Sequence, residues 1–360
     1  MRSEEWVSPF SLDDEAAVAA IDKANLLGEM AGFADQCQAA VAIGRQADLK
    51  VEAAVVTGIS VLGMGGSGIS GDFCRVLFED ELKVPIQVNR HYTLPAWIGP
   101  GSLVLAASYS GNTEETLSAL TEARHRGAQA VVISSGGKIS QMAEADDLTL
   151  IRIPAGLQPR ASLGYLGLPL AVTLERLGLT ADLNEAIDES LTLLRDQAAR
   201  LGRESGEALN PAKQLARRLV GKMPVVYGSE GVTALAAFRF KCQLNENAKT
   251  PAQWNLLPEL DHNEITGWQL LSEVSRKFHL IFFRDAEEHP QVKKRVEVTR
   301  DLIINQFCGA DEFWSSGRSK LARLLSLIYL GDFTSAYLAV LNGVDPSPVE
   351  RIELLKKRLA

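Results

Sequence analysis

Between residues 12 and 50 apolar side chains recur with helical spacing in an Ala- and Leu-rich run, with Gly28 and Gly32 placed to interrupt it. Ser11, followed by Leu12-Asp13-Asp14, reads as an N-cap with acids in the first turn. From Gly58 the rhythm changes to short apolar runs separated by polar loops and amphipathic stretches. Strands are predicted at 59–62, 85–90, 103–107, 130–133 and 148–153. Helices are predicted at 69–79 and 113–126, with a short one after Gly136-Gly137. Residues 154–168 are rich in Gly and Pro and read as a linker or site loop, and helices fill 169–220. The alternation then restarts with strand 224–227, loop Gly228-Ser229-Glu230-Gly231 and helix 232–244. Strand 278–283 and helix 289–305 follow, and then helices 319–342 and 348–359. Apolar strands alternating with helices imply an α/β fold with doubly wound parallel sheets flanked by helices. The second alternation reads as a degenerate copy of the first. The expected division is a helical segment at 1–50, a first domain at 51–168 and a second at 169–360.

Composition narrows the function. The 360 residues are 46% hydrophobic and 23% charged, ordinary for a globular protein large enough to bury a core without staples. The net charge is −8 and the longest basic run is Lys356-Lys357-Arg358, so no nucleic-acid partner is expected. Cys37, Cys74, Cys242 and Cys308 are far apart and form no CxxC, which fits free thiols in a reducing cytoplasm. The five histidines show no metal-ligand spacing. Glu4, Glu5, Asp13 and Asp14 make the amino terminus acidic, so no secretory leader is expected. Nor is a membrane span, because no run of about 18 apolar residues stands out.

Two loops carry candidate chemistry. Gly63-Met64-Gly65-Gly66-Ser67-Gly68 lies between a predicted strand and helix, where backbone N–H groups and the positive helix end suit an anion. Gly63, Gly65 and Gly68 match the dinucleotide fingerprint GxGxxG letter for letter. That fingerprint also expects an acid at the end of the second strand, and residues 85–92 hold no Asp or Glu. A dinucleotide cofactor is therefore not expected. In the second loop, Ser108, Ser110 and Thr113 put three hydroxyls within six residues, more than an ordinary Ser/Thr cap needs. Hydroxyls beside helix-terminal N–H groups make a neutral phosphate cradle. Both loops leave the carboxyl ends of parallel strands, where open α/β sheets bind ligands.

Gly65-Gly66-Ser67-Gly68 followed by the segment from Ser108 to Thr116, SYSGNTEET, resembles the sugar isomerase (SIS) domain. Asn245-Glu246-Asn247, the segment Glu259-Leu260-Asp261-His262-Asn263-Glu264, Pro159-Arg160 and Tyr329-Leu330-Gly331-Asp332-Phe333 narrow the resemblance. They are similar to the bifunctional phosphoglucose/phosphomannose isomerase family. The resemblance runs from about residue 55 to the carboxyl terminus and implies two SIS domains.

Aldose–ketose isomerisation must open the sugar ring, move a proton between C2 and C1, stabilise an enediolate and hold the phosphate. Glu246, between two asparagines at a predicted helix end, is the candidate base, and the resemblance assigns it that role. His262 is the candidate ring opener, because its ordinary pKa suits proton donation and Asp261 and Glu264 flank it. The family's histidine comes from the neighbouring subunit, so the resemblance implies a homodimer. Arg160 would offset the enediolate charge. Lys356 resembles the family's active-site lysine, with Lys357 an alternative one residue on. Gly66, Ser67, Ser108, Ser110 and Thr113, with Arg160, form the expected substrate-binding set. The expected reaction is metal-free interconversion of glucose 6-phosphate, and of mannose 6-phosphate, with fructose 6-phosphate. Small residues in Asp345-Pro346-Ser347-Pro348 would leave room for a water near C1/C2. The alternative reading is a non-catalytic sugar-phosphate sensor. His91, His125, His279 and His289 read as structural or surface residues, and Trp254, Trp268 and Trp314 as packing residues.

Overall fold

The computed structural model describes residues 8–270 and 272–359; Glu4 and Glu5 of the acidic amino terminus lie outside them. In chain order the elements are α1 (Glu15–Ile21), α2 (Leu26–Ala31), α3 (Phe33–Gln46), β1 (Gly58–Leu62), α4 (Gly65–Phe78), β2 (Ile86–Asn89), β3 (Ser102–Ala107), α5 (Glu114–His125), β4 (Gln129–Ser134), α6 (Gly137–Ala145) and β5 (Thr149–Arg152). Then come α7 (Leu163–Arg176), α8 (Asn184–Leu201), α9 (Pro211–Leu219), β6 (Met223–Ser229), α10 (Val232–Glu246), β7 (Gln253–Leu257), α11 (Glu264–Gly267), α12 (Ser272–Ser275), β8 (Phe278–Arg284), α13 (Pro290–Ile303), β9 (Gly309–Trp314), α14 (Lys320–Leu341) and α15 (Glu350–Leu359). The chain divides into two compact units. One is Gly32–Leu191; the other joins the residues up to Ala31 with Thr192–Ala360, and the division falls within α8.

In the first unit all strands are parallel, in the order β2-β1-β3-β4-β5. Ile59 stands beside Ile86 on one side and Leu103 on the other. Every residue of β1 and β3 is buried, as expected of strands covered on both faces. On one face Leu62, Val104, Ala106 and Val132 pack against Ala119, Leu120 and Ala123 of α5 and Ile139 and Ala143 of α6. Across the sheet, α4 packs against α7 and α7 against α3. A Cβ on Gly71 would lie 3.0 Å from Val61 and Val88, so a glycine lets α4 sit close on the sheet.

The second unit repeats the plan with four parallel strands, ordered β7-β6-β8-β9. That order matches β2-β1-β3-β4, so the two sheets share strand order as well as alternation. Val225, Tyr227, Leu280 and Phe282 pack against Val296 and Ile303 of α13. Helix α14 is long and apolar enough to cross a membrane by length and composition. Its apolar window is wholly buried within the protein, as in the core helix of a globular unit. Asp332 on this helix receives Arg239 through two nitrogens, at 3.0 and 2.7 Å, and Gln243 at 2.9 Å, so its buried charge is paired.

Several boundaries differ from expectation. Helix α1 starts at Glu15 because Asp14 caps it, accepting the amide of Ala17; the hydroxyl of Ser11 accepts the amide of Asp13 instead. The chain breaks at Asp22, whose carboxylate accepts the amides of Leu26 and Leu27 at 2.8 and 2.9 Å, while Gly28 lies inside α2. Helix α4 begins at Gly65, four residues before the apolar periodicity is evident. Helix α7 begins at Leu163, inside the segment expected to be loop. Strands β7 and β9 and the short helices α11 and α12 were not expected.

Candidate active site

The order 2-1-3-4-5 places a topological switch point between β1 and β3, and both Gly/Ser/Thr loops leave the carboxyl ends of those strands. The first loop turns at Gly65, whose φ of +51° is left-handed. The cap residue Met64 contributes no side-chain bond, so the first amides of α4 are free of a side-chain cap. Gly66 lies against the backbone of Pro159 and Arg160; a Cβ there would fall 2.7 Å from the Pro159 carbonyl oxygen. Ser67 is buried, and its hydroxyl accepts the amide of Tyr109, tying the first loop to the second.

In the second loop the Ser108 hydroxyl donates to Thr113 Oγ1 at 3.1 Å. Thr113 occupies the cap position of α5 but makes no side-chain cap bond, so its hydroxyl is turned toward Ser108. The Ser110 side chain is exposed and its Oγ accepts the amide of Asn112. Gly111 has φ +70°, and a Cβ there would lie 1.7 Å from the Gly136 carbonyl oxygen. Two backbone loops thus meet where no side chain fits. Gly66, Ser67, Ser108, Ser110 and Thr113 lie on two loops that adjoin through the Ser67–Tyr109 bond at the carboxyl end of the first sheet.

Arg160 joins them from the short 3₁₀ turn Pro159–Ala161. It is only 4% exposed, and its guanidinium donates to Gln158 at 3.4 Å. The turn is held by Gln36 of α3, a residue that composition does not single out. Gln36 Nε2 donates to the Ala161 carbonyl at 2.8 Å, and its Oε1 accepts the Gly164 amide at 2.8 Å.

Glu246, in the second unit, ends α10 and is half-buried. It lines a cavity of about 780 Å³ with Asn245, Lys249, Asp345 and the first turn of α15. Its neighbours fix the backbone. Asn245 Nδ2 donates to the Thr250 carbonyl at 2.8 Å, and the buried Asn247 donates to the Ser335 hydroxyl at 2.9 Å. Lys249 is the residue that sequence reasoning missed. It adopts φ +55°, and its ammonium donates to the carbonyls of Glu246 at 2.7 Å and Pro346 at 3.3 Å. Its signal was present, as a lysine three residues past the acid, but only the left-handed backbone turns it back.

Lys356 and Lys357 lie on α15, which has no buried residue, and neither lines the cavity. Ile352 does, and Lys356 stands one helical turn beyond it on the same face. His262 ends the 3₁₀ turn Glu259–His262, is exposed, and is not among the residues lining the Glu246 cavity. Neither flanking acid reaches it, contrary to expectation. Asp261 accepts from Thr299 at 2.7 Å and Arg295 at 3.1 Å, while Glu264 accepts from Tyr227 and Asn255, each at 2.5 Å. Burial, and the Glu264 carboxylate beside it, push the Tyr227 phenol well above its ordinary value.

The equivalent crevice of the second unit is filled differently. Ser229 and Thr233 satisfy each other, and Arg284, the last residue of β8, is buried between Glu288 and Glu312 with its guanidinium over Trp314. Burial raises the Glu288 carboxyl above its usual range. Arg284 pairs with Glu288 and Glu312 and Arg323 with Asp285, so the charges at this position satisfy one another within the protein. Of the remaining histidines and tryptophans, His279 pairs with Asp311, His289 caps α13, Trp254 packs on Phe238 and Trp268 on Phe307. All four cysteines are free thiols, and among the described residues no group of three His, Cys, Asp or Glu is placed to hold a metal ion.

Comparison with known proteins accords with this geometry. The SIS domain description matches residues 56–159, and the bacterial phospho-glucose isomerase C-terminal SIS domain matches residues 208–359. The bifunctional phosphoglucose/phosphomannose isomerase of Caldicellulosiruptor bescii is 43% identical over 326 residues, covering 91% of this chain and 96% of that one. The protein of the same name from Aquifex aeolicus is 40% identical over 304 residues, covering 84% and 90%. Among solved structures, a glucose-6-phosphate isomerase like protein from Thermus thermophilus superposes with a TM-score of 0.63 at 19% identity, over 97% of this chain and 99% of that one, a likeness of fold. The chain belongs to the bifunctional phosphoglucose/phosphomannose isomerase family of SIS-domain proteins.

Proposed function

We propose that this protein is a metal-independent aldose–ketose isomerase that interconverts glucose 6-phosphate, and mannose 6-phosphate, with fructose 6-phosphate through a cis-enediolate. The observation that carries the proposal is the placement of Glu246, a half-buried carboxylate on the wall of a cavity of about 780 Å³ whose backbone is fixed on both sides. The family relationship favours this over a non-catalytic sensor.

The crevice of the first unit holds the phosphate. Its hydroxyls and uncapped helix amides donate to a dianion without needing a full positive charge. In the open-chain aldose, Glu246 takes the C2 proton; the electrons move into the C1 carbonyl and form the enediolate. Glu246 returns its proton to C1 while the O2 proton passes to O1 and O2 becomes the carbonyl; this gives the ketose and regenerates the carboxylate. Arg160 offsets the negative charge of the enediolate. His262 donates to the ring oxygen during ring opening, and its separation from the Glu246 cavity supports its acting on the other subunit's substrate in a homodimer. Lys356 assists ring opening; its register with Ile352 favours it over Lys357. Ser347 and its neighbours, beside the Glu246 cavity, leave room for both epimers at C2. The free thiols suit the cytoplasm.

A coupled assay for fructose 6-phosphate from glucose 6-phosphate and from mannose 6-phosphate, in parallel and with a chelator present, tests the proposal. Turnover of both supports it. No turnover of either, by a protein that still binds the sugar phosphates, overturns it in favour of the sensor.

A further inference from the structure

The carboxylates on either side of His262 in sequence both turn away from it, into separate anchors. Asp261 is held on α13 by the Thr299 hydroxyl at 2.7 Å and Arg295 at 3.1 Å. Glu264 reaches the sheet. Its Oε1 accepts from the Tyr227 hydroxyl on β6 and its Oε2 from Asn255 on β7, each at 2.5 Å. The same Tyr227 oxygen accepts the Trp268 indole N–H at 2.9 Å. Tyr227 is completely buried, while His262 is exposed and, among the described residues, nothing hydrogen-bonds its ring.

We propose that Glu264 is a positioning residue for His262, acting through the turn and not by touching the imidazole. The inference rests on the role proposed above for His262 in ring opening. An exposed side chain on a short turn loses precision unless its backbone is fixed, and misplacing a reacting group by about 1 Å costs on the order of 100-fold in rate. Here the fixing comes from a buried, charge-assisted network of the kind that is strong when every member is satisfied. Tyr227 and Asn255 converge on one carboxylate from two strands, and Trp268 satisfies the Tyr227 oxygen in turn. A turn needing only a helix start has one already, in the Asn263 side chain, which accepts the Glu264 amide at 2.6 Å. The carboxylate therefore has a separate task, which is to tie the turn to β6 and β7.

The test follows enzyme-catalysed anomer exchange of glucose 6-phosphate by exchange NMR, alongside KM, kcat and thermal unfolding, in the full-length protein. Glu264→Ala is expected to slow anomer exchange roughly 10- to 100-fold with KM changed less than about twofold. Glu264→Gln keeps an acceptor for Tyr227 and is expected to restore part of the rate. Tyr227→Phe, which removes one hydroxyl and little volume, is expected to fall in between and decides the matter if Glu264→Ala does not fold. Folded Glu264→Ala and Tyr227→Phe proteins that exchange anomers at the wild-type rate would overturn the inference. His262→Ala separates the two levels: wild-type exchange by that variant removes the role of His262 itself, whereas its loss of exchange beside intact Glu264 variants removes only the positioning.

Discussion

The ammonium of Lys249 donates to the carbonyl oxygen of Glu246 at 2.7 Å, so the last turn of α10 is closed by a cation three residues beyond the carboxylate. The same ammonium reaches Pro346, and thereby holds the segment leading into α15. A hydrogen bond from a charged group contributes about 1.5–3 kcal/mol. Lys249→Met is therefore expected to lower kcat for isomerisation roughly tenfold or more, with a fall of a few degrees in Tm. Lys249→Gly, which accepts the left-handed backbone without strain, should lose the same activity with a smaller loss of Tm. Full activity in both variants would show that the latch is dispensable.

Glu246→Gln keeps the shape of the cavity wall and removes the base. General base catalysis contributes about 10²–10⁴-fold, so kcat should fall by that range while the affinity for glucose 6-phosphate is retained. Loss of deuterium incorporation from solvent at C1 and C2 is the direct readout. Wild-type turnover would sink the mechanism.

The phosphate cradle predicts a different signature. Ser110→Ala and Thr113→Ala each remove a hydroxyl donor to a dianion, worth about 1.5–3 kcal/mol, so each should raise KM roughly 10- to 100-fold. Inorganic phosphate, a competitor for the same donors, should weaken as an inhibitor in step. An unchanged KM in the double variant would remove the assignment.

Gly111 predicts a stability effect without any chemistry. Its left-handed φ costs an alanine about 1–2 kcal/mol, and a Cβ 1.7 Å from the Gly136 carbonyl oxygen forces the two loops apart. Gly111→Ala should lower Tm by several degrees in a domain of this size and raise KM as well, measured by calorimetry and steady-state kinetics. A protein as stable as the wild type would show that the loops yield freely.

Asp311 sets an acid limit to stability. Burial opposes its ionisation, but hydrogen bonds from His279 at 2.7 Å and Arg218 at 2.8 Å outweigh it and hold the carboxyl below the usual carboxylate range. The unfolded chain then binds the proton more readily. This contribution is complete above about pH 4 and is lost as pH falls through the lowered value. Glu288, raised by burial, works in the opposite sense above its ordinary value. Unfolding followed from about pH 6 down to about pH 2.5 should therefore show an acid limb that Asp311→Asn flattens; an unchanged limb would assign it to other carboxylates.

Much of the fold was legible because β1, β3, β4, β6 and β8 are apolar at nearly every position, which a strand buried on both faces requires. The missed strands are edges. Gln253–Leu257 and Gly309–Trp314 mix Gln, Asn, Asp and Glu with apolar residues because one side faces solvent, and no periodicity survives. The start of α7 was hidden because the turn carrying Arg160 is built from Pro and Gly and held by Gln36, 125 residues distant from Ala161 in sequence. The two Gly/Ser/Thr loops could be located because runs of glycines and hydroxyls between a strand and a helix stand out from their surroundings. The anchoring of His262 could not, since Tyr227, Asn255 and Glu264 meet only once β6 and β7 pair.

The second compact unit is discontinuous, with α1 and α2 separated from the rest by the whole of Gly32–Leu191. On a ribosome this fixes an order of events. The Gly32–Leu191 unit is complete as soon as its own residues have emerged, and it can close while synthesis continues. Helices α1 and α2 emerge first yet have nothing to pack on until α9 and α14 follow. Lys213, buried with its ammonium on the carbonyl of Leu12 and the carboxylate of Asp13, makes a bond that waits until the whole of Gly32–Leu191 has been synthesised. Helices α1 and α2, made before the insertion, thus wait for packing partners that are made after it.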